Sequence, residues 1–178
     1  MSRTLVGLMF VTVAAAAVVA AQVRKDTLDG VRNFTRVDAT VGCGGATTPE
    51  ALAGLARLGY KAIVNLRLPT EPDAAIDESK AAAEAAHLKF IHLPFNGSEP
   101  DTKVVDQFIL AVTEPTNQPV FIHCGSGSRV GALWLAKRML VDRWQQAKAV
   151  EEARAIGLSS EALETFALDY VAKRRGGR

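Results

Sequence analysis

The chain is poor in the residues that build metal centres and covalent frameworks. It has two cysteines and three histidines among 178 residues. No His/Cys/Asp spacing resembles a metal site, and Cys43 and Cys124 are too far apart in sequence for a short ligand motif. Neither sign of charge dominates. Lys and Arg number 21 against 19 Asp and Glu, a net charge of +2, so the composition offers no electrostatic footprint for nucleic acid. The basic run at the end, Lys173 to Arg178, is expected to be a solvated tail. No cofactor is expected.

What is present begins with a leader. Arg3 supplies a positive end, residues 5–19 are apolar, and Val19-Ala20-Ala21 before Gln22 offers small residues for cleavage. Residues 1–21 are expected to be a signal peptide, with an uncleaved membrane anchor as the alternative, because the apolar run is long for a signal and short for a span. Either form sends the rest of the chain to the far side of a membrane, the periplasm. Residues 22–33 read as a polar connector, residues 34–174 as one domain and residues 175–178 as a basic tail. About 155 mature residues are enough to bury a sizeable core.

Within the domain, strand and helix patterns alternate. Phe34 to Val41 has the β-branched alternation of a first strand. Thr48 and Pro49 are placed to cap and open a helix that Gly59 ends. Strand patterns follow at 62–66, at 90–93 and just before Cys124. Helical patterns cover 74–88, 102–113, 130–140, 145–156 and 159–173, the last expected to open on a capping box of Ser159 with one of the acids that follow it. This predicts a single α/β domain with a mostly parallel sheet of about four strands flanked by helices. In such sheets the site lies at the C-terminal strand ends, which gathers Arg67, the loop 96–101 and Cys124 along one edge.

The stretch Pro119 to Trp134 concentrates the chemistry. An apolar strand runs into His123-Cys124-Gly125-Ser126-Gly127-Ser128-Arg129, and an apolar helix follows. Glycines let the loop turn its N–H groups inward, and the helix points the positive end of its dipole at the same spot. That geometry holds an anion, and with Arg129 on its rim it favours the thiolate of a cysteine at its mouth. A free cysteine can also be a small core hydrophobe. A core cysteine, however, needs no two glycines, two hydroxyls and arginine behind it. Arg67 is a candidate second anion contact, against the alternative that it pairs with an acid. His92 and His123 read as hydrogen-bonded core histidines.

The segment His123 to Arg129 resembles the signature of cysteine-dependent phosphatases of the dual-specificity type, particularly the small bacterial phosphatase-like domain also found fused to beta-lactamase-like hydrolases. Lys61 to Arg67, ending in Asn-Leu-Arg, and Gly44 to Leu52 resemble two further segments of these domains. The resemblance covers roughly residues 34–174. It implies Cys124 as nucleophile, Arg129 and the loop Gly125 to Ser128 as the phosphate cradle, and an acid in the loop before the third helix. Asp101 is the first choice for that acid, ahead of Glu99, while capping of the helix at Thr102 remains the alternative for Asp101. The loop has four residues between Cys and Arg where the usual phosphatase loop has five, a length also seen in rhodanese-type sulfurtransferases. Val130 stands where most such phosphatases carry Ser or Thr.

Three functions therefore compete. They are hydrolysis of a phosphate ester on a protein or small molecule through a phosphocysteine, persulfide transfer on the same cysteine, and anion binding without chemistry. The leader adds one more expectation. In an oxidising compartment, Cys43, read as lying in a glycine turn, is a candidate regulatory disulfide partner for Cys124.

Overall fold

The computed structural model describes residues 23–177. The leader, residues 1–21, lies outside them. Strands β1 (Arg24–Lys25), β2 (Thr35–Arg36), β3 (Val41–Gly44), β4 (Ala62–Asn65), β5 (Lys89–His92) and β6 (Val120–His123) form one sheet in the order β1-β2-β3-β6-β4-β5. The four strands β3, β6, β4 and β5 are parallel, and β1 and β2 add antiparallel at one edge. The α/β class and mostly parallel sheet are thus as the sequence predicts.

The antiparallel edge departs from the reading of one strand over Phe34 to Val41. That segment folds back on itself, pairing Thr35 with Cys43 and Arg36 with Gly42. The Asp38 carboxylate makes the turn by accepting hydrogen bonds from the backbone N–H and the hydroxyl of Thr40, both at 2.8 Å, a local bond that competes with extended pairing. Residues 24–25, read as connector, are sheet.

Helices α1 (Ala51–Arg57), α2 (Ile76–Ala85), α3 (Thr102–Thr113), α4 (Ser128–Leu140), α5 (Gln146–Ile156) and α6 (Glu161–Gly176) cover the sheet. Side chains alternate across a strand. Ile63 and Phe121 therefore join Phe34, Leu52, Leu55 and Tyr60 on the α1/α2 face, while Val64, Val120, Ile122 and Cys124 face a core with Phe108, Leu133, Trp134, Ile156 and Leu163. Helix α4 is buried along nearly its whole length, as an apolar helix without a polar stripe must be.

Three helix starts are corrected. Thr48 does not cap α1, which begins at Ala51 with no side-chain cap. Helix α4 starts at Ser128 rather than Val130. Helix α6 is capped by Ser160, which accepts from the N–H of Leu163, rather than by Ser159, and the third helical position is a leucine, so no reciprocal box forms. The basic C-terminal residues are more than a solvated tail. Helix α6 continues to Gly176, Arg174 pairs with Asp106, and Arg175 donates to the Met139 carbonyl at 2.6 Å.

Candidate active site

Strand β6 ends in the middle of the parallel sheet, and the chain from Cys124 to Arg129 turns there into α4. The turn is enforced by Gly127, whose φ of 107° is open to glycine at little cost. The N–H of Gly127 then points inward and donates to the Cys124 sulfur at 3.2 Å. Cys124 itself is fully buried.

Three neighbouring segments hold this loop in place. Ala46, after β3, donates its N–H to the Gly125 carbonyl at 2.9 Å. A side chain at Gly45 would come within 3.0 Å of the same carbonyl. The Ser128 hydroxyl, expected to face an anion, accepts instead from the N–H groups of Ser159 and Ser160 at 3.2 and 3.3 Å, so it ties the start of α4 to the α5–α6 connection. Asn33 donates its side-chain amide to the Ser126 carbonyl at 3.4 Å. Only Ser126 of the two serines is exposed.

Arg129 is held by an acid that the sequence reading missed. Glu71, in the proline-flanked loop after β4, accepts from Arg129 Nη1 at 2.6 Å and from Nη2 at 2.8 Å, a bidentate fork that fixes the guanidinium plane. Nη1 also donates to the carbonyls of Leu66 and Phe95. The Arg129 side chain also interacts with the Cys124 sulfur. Burial pushes the Glu71 carboxyl up, but hydrogen bonds from Arg129 and the Leu68 N–H, with the Arg129 charge, outweigh it and bring Glu71 down to about 2. The carboxylate is ionised throughout the neutral range. Burial pulls Arg129 down, and its bonds to Glu71 with the nearby Cys124 sulfur more than offset it, so the guanidinium stays above its ordinary value.

Arg67, expected as a second anion contact, has another role. It is buried, and its guanidinium donates to the carbonyls of Pro72 and Asp73 and to Glu71 at 3.3 Å. Its donors shape the loop that carries Glu71. The signal was in the sequence: an acid four residues after an arginine, between two prolines.

Among the histidines, His92 Nε2 lies 2.9 Å from the Arg67 carbonyl, the core bonding expected of it. His123 is buried beside Cys124. Burial, with the positive charge of Arg67, lowers it to about 3, so it is neutral. Asp101 is the cap of α3, its Oδ1 accepting from the Lys103 N–H at 2.8 Å. The loop that leads to it edges the site, since Phe95 holds Arg129 by its carbonyl and Gly97 lies against the Arg129 stem.

The expected disulfide is not formed. Cys43 and Cys124 are free thiols. Cys43 lies in β3 rather than in a turn, opposite Ile122. Ideal strand spacings put its Cα about 8 Å from that of a residue two further along the neighbour, beyond the ~7 Å that a disulfide tolerates. Burial also drives the Cys43 thiol well above its usual range, which keeps it protonated and unreactive. Protein purified in air without reductant is expected to show two free thiols per chain on unfolding in a thiol reagent; one missing pair would reinstate the bond.

Known proteins are similar to this chain in sequence or in fold. A Beta-lactamase hydrolase-like protein of Xylella fastidiosa is 28% identical over 117 residues, 64% of this chain and 26% of that protein. The chain thus spans about a quarter of that relative. The catalytic core of the PP-IP phosphatase SIW14 of S. cerevisiae, solved with citrate, superposes with a TM-score of 0.68 at 22% identity, covering 85% of this chain and 94% of that one. TpbA of P. aeruginosa in complex with pTyr gives 0.64 at 22%, covering 88% and 91%. At that identity these two speak for the fold. A family model matches residues 13–171, nearly the whole chain, and the chain therefore belongs to the family it describes, PTP-NADK, the DSP-PTPase phosphatase fused to NAD+ kinase.

Proposed function

We propose that the protein hydrolyses a phosphate ester, carried on a protein side chain or a small molecule, through a phosphocysteine. The observation that carries this reading is the Cys124 loop. An inward N–H meets the sulfur, and an arginine clamped by Glu71 stands beside it.

The Cys124 thiolate attacks phosphorus, and the bond to the leaving oxygen breaks as that oxygen takes a proton from an acid. The loop amides and Arg129 hold the non-bridging oxygens as charge gathers on them. Asp101 is the proposed acid, acting through Oδ2, since Oδ1 is committed to the helix cap. A water then attacks phosphorus, its proton passes to the Asp101 carboxylate, the S–P bond breaks and phosphate leaves. Gly125, Ser126 and Gly127 contribute backbone N–H groups. Ser128 and Arg67 act one step removed, through the α5–α6 connection and through Glu71.

The names of two structural relatives bear on the substrate, one being a PP-IP phosphatase and the other a protein solved with pTyr. Both are phosphate compounds, and the reading is kept at that class. The leader supports export to the periplasm, where a phosphorylated protein or small phosphate ester would be met.

The test is the mass gained by Cys124 on brief exposure to a phosphate ester, quenched in acid. Addition of one phosphoryl group is expected, lost in a Cys124→Ser protein. A gain of one sulfur from thiosulfate, with none from the ester, would instead make the four-residue loop a persulfide carrier.

A further inference from the structure

We propose that Asn33, with Lys25, is a positioning residue for Cys124: from the N-terminal segment it sets the orientation of the Ser126–Gly127 peptide, and so the N–H that faces the sulfur. The proposal rests on the reading of Cys124 as nucleophile, and it adds a control point outside the loop.

The Ser126–Gly127 amide is one planar unit, and in a trans peptide C=O and N–H point in opposite directions. Asn33 Nδ2 donates to the Ser126 carbonyl at 3.4 Å on the outside, and the Gly127 N–H donates to Cys124 Sγ at 3.2 Å on the inside. The same Nδ2 donates to the Ile156 carbonyl at 2.8 Å, at the end of α5. One side-chain amide thus joins the loop to the α5–α6 connection, whose Ser159 and Ser160 hold Ser128 from the other side.

Which end of the Asn33 amide faces the carbonyls is decided by Lys25. An ammonium can only donate, and Lys25 Nζ lies 2.6 Å from Asn33 Oδ1 and 2.9 Å from Thr35 Oγ1. That fixes oxygen toward the lysine and nitrogen toward Ser126 and Ile156. Space is reserved for this amide by two glycines. A Cβ on either Gly127 or Gly157 would come within 2.9 Å of Asn33 Nδ2, and both glycines have positive φ, 107° and 143°. Asn33 is itself left-handed, with φ 54°, a conformation asparagine adopts more readily than most residues.

A hydrogen bond to the charged form of a group favours that form. Releasing the Ser126 carbonyl lets the peptide turn and weakens the Gly127 N–H bond to the sulfur. The experiment uses Asn33→Gly, which keeps the left-handed backbone and removes the donor, and Lys25→Met, which leaves Asn33 in place and frees its amide to rotate. Thiolate formation is followed by ultraviolet absorbance against pH, with the matching Cys124→Ser protein subtracted, and the thermal midpoint is recorded beside it. In Asn33→Gly the titration midpoint is expected to rise by about one pH unit and turnover to fall about tenfold. Lys25→Met should move both in the same direction by less. A lowered thermal midpoint with unmoved titrations in the folded variants would make Asn33 merely structural and overturn the proposal. If Asn33→Gly does not fold, an unmoved Lys25→Met titration overturns it alone. The titration needs no substrate, so a wild-type protein without phosphatase activity whose variants still shift would sink the proposed reaction and leave this inference standing.

Discussion

A Cys124→Ser protein is expected to lose hydrolysis of a phosphate ester by a factor on the order of 10⁴ or more, while its affinity for inorganic phosphate stays within a few-fold of the parent. The two halves of this expectation come from different atoms. Nucleophilicity belongs to the sulfur, and an alcohol with no base beside it is not ionised near neutral pH. On the proposed mechanism, anion affinity comes from backbone N–H groups and from Arg129, whose guanidinium is held by Glu71 at 2.6 and 2.8 Å rather than by the residue at position 124. Phosphate affinity is read by titration calorimetry and turnover by phosphate release. Undiminished hydrolysis would remove Cys124 from the reaction.

The second large effect is on stability, at the opposite end of the strands. Glu152→Ala is expected to destabilise the fold by about 3–5 kcal/mol, the usual cost of stranding one partner of a buried ion pair. Glu152 and Arg138 are 7% and 8% exposed. The carboxylate accepts from Arg138 Nε at 2.7 Å and Nη2 at 3.1 Å, and from the Trp134 indole N–H at 2.7 Å. Arg138 is stacked between the rings of Trp134 and Trp144, 4.7 and 4.4 Å from their centroids. Without Glu152 the guanidinium keeps only Asp142 and Asp38, which are partly solvated, and the indole N–H loses its acceptor.

The thermal midpoint should fall by on the order of 10 °C. Replacing both partners, Arg138→Met with Glu152→Leu, should recover much of the loss, because an apolar pair of similar volume carries no desolvation cost. Activity of the folded fraction should be unchanged, since Asp38 sits before β3, at the end of the parallel strands away from Cys124. A drop of under about 2 °C for Glu152→Ala would show the network to be no more than a solvated ion pair.

Much of the site could be read from the sequence because its chemistry is contiguous. Cys124, the glycine turn, Arg129 and the helix behind them occupy consecutive positions, and an apolar strand before and an apolar helix after specify how the backbone passes through them. The alternation of strand and helix patterns likewise fixed the class of fold, and the bounds of α3, Thr102 to Thr113, were legible from its cap and its apolar period.

What the sequence alone could not decide were the pairings between distant segments. Glu71 lies 58 residues from the arginine it clamps and Asn33 lies 93 from the carbonyl it holds, and no local period or propensity records such a meeting. The turn at Asp38 was hidden for a related reason: β-branched residues on both sides read as one strand, whereas the Asp38 side-chain bond to Thr40 and the Val37 N–H bond to the Val41 carbonyl fold them into a hairpin. The sequence by itself determined the strand–loop–helix passage from Val120 to Leu140 and the layers around it, because both follow from local backbone conformation and from which side chains must leave water. Tertiary structure alone decided which acid holds Arg129, that Arg67 donates to the loop carrying that acid, and that Cys43 stays apart from Cys124, because each depends on how segments apart in the chain are brought together.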